Sequence, residues 1–176
     1  MRRLFALAFT AACLAVAAQA APFVLTSPTL ADNGLVPREH VYSGCNGLNR
    51  SPALSWTGAP AGTKSFAVTV FDPDAPHQGG WWHWLVFDIP ADAKGLAENA
   101  GDALPLGAVQ SRSDFGTAAY GGPCPPPGKP HRYVFTVYAL KTANLAATAN
   151  DPPVKVDAAI RKNALAKASI TAKYGR

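Results

Sequence analysis

Two histidines and two aspartates stand at the ends of apolar runs, where folding can bring them together. Asp72-Pro73-Asp74-Ala75-Pro76 closes one run, Trp81-Trp82-His83-Trp84 opens the next, and His131-Arg132-Tyr133 opens a third. An unperturbed imidazole titrates near pH 6.5, so two of them in one cleft can donate hydrogen bonds to an oxyanion, more strongly when protonated. An aspartate beside one imidazole would hold its tautomer and raise its basicity. It would equally accept an ammonium group. The same residues are the raw material of a metal site or a general base. A lone histidine among tryptophans is more often a packed residue bonded to backbone, so the site depends on the convergence. His77 reads as an exposed loop residue, and His40 as an early loop residue with no evident partner.

Convergence requires three neighbouring strands. Ser65 to Phe71 places Phe66, Val68 and Val70 on one side and Ala67, Thr69 and Phe71 on the other, so a central strand is predicted. Trp82 to Ile89 and Tyr133 to Leu140 are rich in aromatic and β-branched residues and read as two more. Alternation puts Trp82 and Trp84 together in the core and Trp81, His83 and Leu85 on the opposite face. Shorter strands are predicted at Phe23–Thr26, Ala53–Trp56 and Ala108-Val109, with a last strand at Ser169–Tyr174. The best helix is Asp157 to Lys167, capped by Asp157, with Ile160, Ala164 and Leu165 on one face. Gly116 to Pro130, with four glycines and five prolines, is an irregular loop that pre-organises whatever it borders. Strands in runs rather than alternating with helices predict a mostly β, antiparallel sandwich.

The chain has 176 residues, and proline and glycine make up about 18 % of it, too much punctuation for a helical bundle. Arg2 and Arg3, the apolar stretch from Leu4 to Ala18, and Ala18-Gln19-Ala20 read as a signal peptide spanning residues 1–20. The stretch falls short of the ~20 residues that span a bilayer. The mature domain is then 21–176, periplasmic or secreted, with no transmembrane span after cleavage. It keeps 14 basic and 11 acidic residues, too mild an excess for a nucleic-acid partner. Of three cysteines, Cys13 leaves with the signal. Cys45 and Cys124 remain, and an exported pair favours a disulfide over free or metal-bound thiols. Closing a loop of about 80 residues would contribute on the order of 4 kcal/mol.

No HExxH, paired CxxC or GxSxG pattern is present, so neither a metal-ligand set nor a catalytic residue is assigned. The triplet Asp114-Phe115-Gly116 lacks the companions of a kinase motif and is coincidence.

The segments Asn49–Trp56 (NRSPALSW), Gly62–Phe71 (GTKSFAVTVF), DPDAP, WWHW, Gly121–Gly128 (GGPCPPPG) and His131–Leu140 (HRYVFTVYAL), in this order, resemble the phosphatidylethanolamine-binding protein family, in its bacterial Raf-kinase-inhibitor-like branch. The resemblance spans essentially the whole mature chain. It implies a large central sheet, a smaller sheet and a C-terminal helix, with a pocket for small anions, phosphate or phosphorylated headgroups, at one end of the larger sheet. Carried over by motif, the ligand-binding residues are Asp72, Pro76, Trp81, His83, Tyr120, Pro126, His131 and Tyr133, with Asp74 ordering its loop. The resemblance also implies a cis peptide bond near Gly79-Gly80, no cofactor and no general catalytic activity. Three functional classes follow: a binding protein that modulates a protein partner, a metal- or His/Asp-dependent hydrolase, and a module that uses only its outer surface.

Overall fold

The computed structural model describes residues 21–176; the expected signal peptide, residues 1–20, lies outside the described residues. Eight strands and one α-helix follow one another as β1 (Val24–Thr26), β2 (Leu54–Thr57), β3 (Ser65–Asp72), β4 (Trp81–Pro90), β5 (Gly95–Leu96), β6 (Val109–Gln110), β7 (His131–Leu140), α1 (Pro153–Asn163) and β8 (Ala164–Tyr174). They form a three-stranded sheet, β1-β2-β5, and a five-stranded sheet, β6-β4-β3-β7-β8. Every pairing between these strands is antiparallel. The mostly β sandwich with one C-terminal helix is therefore the architecture present.

The apolar pattern of β3 explains its central place. Phe66, Val68 and Val70 join Leu25, Leu54 and Trp56 in the core between the sheets. Ala67, on the opposite face, joins Leu85, Phe87, Val156 and Ile160 in a second core beneath α1. A strand buried on both faces needs neighbours on both edges to satisfy its backbone groups. β4 and β7 supply them.

Three local expectations are corrected. Trp82 and Trp84 do not share a face. Val70 pairs with Trp84 and Phe71 with Trp82, so His83 is an extra residue in β4 without a partner on β3. A bulge of this kind shifts the alternation by one. Trp84 enters the inter-sheet core, while Trp82 packs toward α1 and lies 4.4 Å from Phe71 between ring centroids.

The helix runs from Pro153 to Asn163, not from Asp157 to Lys167. Proline suits the first helical turn, because its missing N–H has no partner there and its φ is preset. Asp157 is therefore inside the helix rather than its cap, and it accepts a 2.7 Å hydrogen bond from Arg161 Nε. Ala164 to Lys167 leave the helix because they pair with β7, Ala166 opposite Ala139 and Lys167 opposite Tyr138. Ladder hydrogen bonds to β7 outweigh the helix preference of Ala, Leu and Lys, which is strong in rank but small per residue beside tertiary pairing.

No peptide bond among the described residues is cis. Gly79 and Gly80 instead turn the chain with φ values of 89° and 81°. A Cβ on Gly80 would stand 2.4 Å from the Phe71 ring, so glycine is required there for space as well as for φ.

Candidate functional site

β3 ends where β4 and β7 begin, so antiparallel pairing delivers Asp72, Trp81 and His131 to the same end of the large sheet. Asp72 pairs directly with Trp81. The bulge adds His83, and Tyr133 lies two residues inside β7 on the same face as His131. These five side chains line one cavity of about 340 Å³. Pro76 and Pro126 close it from the two flanking loops.

Each imidazole is held by its Nδ1. His131 Nδ1 donates to Asp72 Oδ2 at 2.8 Å. His83 Nδ1 donates to the Gly121 carbonyl at 2.6 Å, and the Gly121 N–H donates back to the His83 carbonyl at 3.0 Å. Burial lowers the pKa of His83 below the ordinary histidine value, against the opposing pull of the Gly121 carbonyl and the Asp72 and Asp114 carboxylates. Its ring stands edge-on to Phe115 and to Tyr133, with centroids 5.4 Å and 5.1 Å away. Tyr133 is buried, and its hydroxyl has no hydrogen-bond partner in the protein. Burial, and then the nearby Asp72 carboxylate, push this phenol's pKa upward, so it stays protonated.

The aspartates divide their work differently from the sequence expectation. Asp72 makes the local turn, its Oδ1 accepting the Asp74 N–H at 2.8 Å. Asp74 reaches across to β7 instead, where its carboxylate accepts from the Arg132 N–H at 2.9 Å, Nε at 2.9 Å and Nη2 at 2.8 Å. Hydrogen bonds from Arg132 hold the Asp74 carboxyl well below the usual carboxylate range. A lowered folded-state pKa contributes stability above the unfolded value, and the contribution disappears as pH falls. Asp74→Asn is expected to lower Tm near neutral pH, with the gap to wild type closing below about pH 4. Solvent at the Arg132 side keeps the effect small. A Tm difference independent of pH, measured by thermal melts from about pH 2 to 7, would count against it.

Tyr120 is not part of the cavity wall. It is buried, its hydroxyl donates to the His40 carbonyl at 2.9 Å, and its ring packs edge-on against Trp84. Its side chain therefore supports the loop behind the site. Burial pushes its phenol upward as well. His40 does have partners: it is fully buried, Nδ1 donates to the Arg50 carbonyl at 2.9 Å, and Nε2 lies 2.8 Å from the Thr29 hydroxyl.

Tyr42, Phe115 and His77 also line the cavity, although none was assigned to the site from the sequence; His77 is exposed, as expected of a loop residue. His77 is edge-on to Trp81, and Phe115 stacks with Tyr42 at 5.1 Å. Aromatic residues in glycine-rich loops were the available signal, but their direction depends on loop closure. That closure is visible in the disulfide between Cys45 and Cys124, whose Cα atoms are 5.7 Å apart. Cys124 borders the cavity. Gly122 lies so close to the 40–42 segment that a Cβ would stand 2.1 Å from the His40 carbonyl oxygen. Among the described residues, no three His, Cys, Asp or Glu side chains form a group that could hold a metal ion, and no helix is long and apolar enough to cross a membrane.

Comparison with known proteins agrees with this architecture. Residues 26–175 match the family model described as phosphatidylethanolamine-binding protein. The UPF0098 protein YbcL of Escherichia coli (strain K12) is 48 % identical over 170 residues, covering 93 % of this chain and 93 % of that protein. The UPF0098 protein YbhB of the same organism is 44 % identical over 155 residues, covering 85 % of this chain and 98 % of that protein. The crystal structure of E. coli YbcL, described as a new member of the mammalian PEBP family, superposes with a TM-score of 0.86 over 89 % of this chain and 99 % of that one. A PEBP homologue from Chlamydia trachomatis superposes at 0.75 with 30 % identity, covering 88 % of this chain and 97 % of that one. With a family match that runs from β1 to the end of β8, the chain belongs to the phosphatidylethanolamine-binding protein family.

Proposed function

We propose that this chain is an exported, non-enzymatic binding protein whose cavity holds a small anion, either phosphate or a phosphorylated headgroup, and that it modulates a protein partner. One observation carries the anion site: three neighbouring strands bring His83, His131 and Asp72 to one cavity, with both Nδ1 atoms already held. Holding the rings in advance lowers the ordering cost of binding. The proline-rich loops that carry Pro76 and Pro126 have the same effect. The family's description as phosphatidylethanolamine-binding is consistent with a phosphorylated ligand. Export is supported by the signal-like segment 1–20 and by a disulfide suited to an oxidising compartment.

Thermal shift of the purified protein with phosphate and phosphoethanolamine tests the site. Stabilisation by either anion should be larger at about pH 5.5 than at about pH 7.5, because protonated imidazoles donate hydrogen bonds. His83→Ala should remove it. No shift at either pH for the wild-type protein would sink the proposal. The hydrolytic alternative would use the Asp72–His131 pair to orient a water molecule. It predicts release of phosphate from phosphoethanolamine during the same incubation, whereas the binding reading predicts none.

A further inference from the structure

β8 is an outer strand of the large sheet, and its free edge is only half covered. The segment 32–36 lies along the later half. The Asn33 N–H donates to the Thr171 carbonyl at 2.6 Å, the Lys173 N–H to the Gly34 carbonyl at 2.8 Å, and the Val36 N–H to the Lys173 carbonyl at 2.9 Å. Asp32 Oδ1 closes this cover by accepting the Thr171 N–H at 2.9 Å. Backbone groups along a strand point to alternate edges, so those of Lys167 and Ser169 face the same way as those of Thr171 and Lys173. The register with β7 agrees. Lys167 stands opposite Tyr138 and Ser169 opposite Thr136, and the Thr136 and Ser169 hydroxyls meet at 2.9 Å, as the closer, non-hydrogen-bonded pairs of a ladder allow. The N–H and carbonyl of Lys167 and of Ser169 thus lie open, without a partner among the described residues. Both residues are exposed, as is Leu165 before them.

The charge around this open stretch is of one sign. The Lys64 N–H donates to the Leu140 carbonyl, the Lys141 N–H donates to the Asn163 carbonyl, and Leu140 pairs with Ala164. The backbone therefore gathers Lys64, Lys141, Lys162 and Lys167 at the end of the sheet away from the cavity. All are exposed, and none is in an ion pair among the described residues. Of the carboxylates at this end, Asp157 is taken by Arg161, and Asp88 by Asn144 and the Leu145 N–H. Asp92, in the turn after β4, pairs with none of the lysines.

We propose that this edge docks an acidic, extended segment of the protein partner, which joins β8 as a further strand beside Lys167 and Ser169. The inference deepens the partner reading above and rests on it, but it uses no atom of the anion cavity. The open N–H and carbonyl groups supply main-chain hydrogen bonds, the usual source of affinity in strand addition. The lysines supply the preference for carboxylates. Leu165, 43 % exposed, offers an apolar contact at one end. A second copy of the chain fits poorly, because it would set this lysine cluster against itself, and edge lysines oppose such self-pairing. An anionic lipid surface would satisfy the lysines but cannot continue a hydrogen-bond ladder.

Amide NMR of the isotope-labelled protein, titrated with a short peptide of alternating Val and Glu and with its Val/Lys counterpart, tests this. The Val/Glu peptide should shift the Lys167 and Ser169 amides to saturation and leave those of His83 and His131 in place. Lys167→Glu should weaken its binding about 3- to 10-fold. Ser169→Pro deletes an outward N–H without removing a bond to β7, and should weaken binding about 10-fold. Lys167→Glu is an exposed substitution and decides the question by itself if Ser169→Pro does not fold. Phosphate-induced thermal stabilisation should be unchanged in both variants, which separates this surface from the cavity. No shift at Lys167 and Ser169, or equal binding of the Val/Lys peptide, overturns this inference and leaves the anion site standing. Shifts there that grow with protein concentration alone assign the edge to a second copy. Shifts produced only by phosphatidylglycerol vesicles assign it to a membrane. Either result also overturns the inference.

Discussion

Cys45→Ser/Cys124→Ser is expected to lower the unfolding free energy by about 4 kcal/mol. The two cysteines are 79 residues apart in sequence, and the bond between them removes much of the freedom of the unfolded chain. For a chain of this length the loss corresponds to a Tm lower by roughly 8–16 °C. The segments it joins are otherwise held by scattered contacts. Cys45 ends a single helical turn at Ser43–Cys45, and Cys124 sits in a loop without regular structure. Asn49 bonds the Gly122 N–H at 2.8 Å and the Tyr120 carbonyl at 3.1 Å, and the Tyr42 N–H donates to Pro123 at 3.1 Å. These bonds are expected to keep the double variant folded at room temperature. Urea unfolding of the wild-type protein and the double variant provides the measurement. A difference below about 1 kcal/mol would mean that the loops carry themselves, without help from chain entropy.

The second large effect concerns the Asp72–His131 pair. His131→Ala should abolish phosphate-induced stabilisation and itself cost about 2–3 kcal/mol. Asp72 has only 4 % of its side chain exposed. Without His131 it keeps the Asp74 N–H on Oδ1 but has nothing on Oδ2. A buried carboxylate oxygen without a partner is costlier than the loss of the bond itself. Adding Asp72→Asn removes the charge that was stranded. The double variant is therefore expected to recover most of the stability and none of the phosphate affinity. A double-mutant cycle of urea midpoints, with phosphate titrations alongside, separates the two effects. If His131→Ala retained wild-type phosphate affinity, this imidazole would have no place in the site. If the double variant were no more stable than the single, Asp72 would not be the source of the cost.

Much of the fold was legible because burial leaves a local trace. The two apolar faces of Ser65–Phe71 mark a strand with neighbours on both sides, and β3 is the middle strand of the large sheet. The residues around Asp72, His83 and His131 read as one group because each stands at a strand end, and three adjacent antiparallel strands bring such ends together. The glycine- and proline-rich 116–130 segment announced a loop and contains no helix or strand.

The misreadings share a cause. Alternation along Trp81–Trp84 cannot reveal that His83 is a bulge, because the bulge exists only relative to β3. The same holds for Ala164–Lys167, whose composition suits a helix until β7 offers a ladder to join. Tyr120 lies in the loop that borders the cavity, yet its hydroxyl is used by His40, 80 residues away. His40 had no visible partner because Thr29 and Arg50 reach it only once the early loops have closed.

The sequence by itself determined the strand-forming runs, the antiparallel class, the cysteine pair and the residue types at the strand ends. Those follow from side-chain shape, apolar periodicity and turn chemistry within a few residues. Tertiary structure alone decided which face His83 occupies, which proton each imidazole carries and which aromatic side chains close the cavity. Those depend on register and on hydrogen bonds between segments dozens of residues apart, such as His83 with Gly121 and His131 with Asp72.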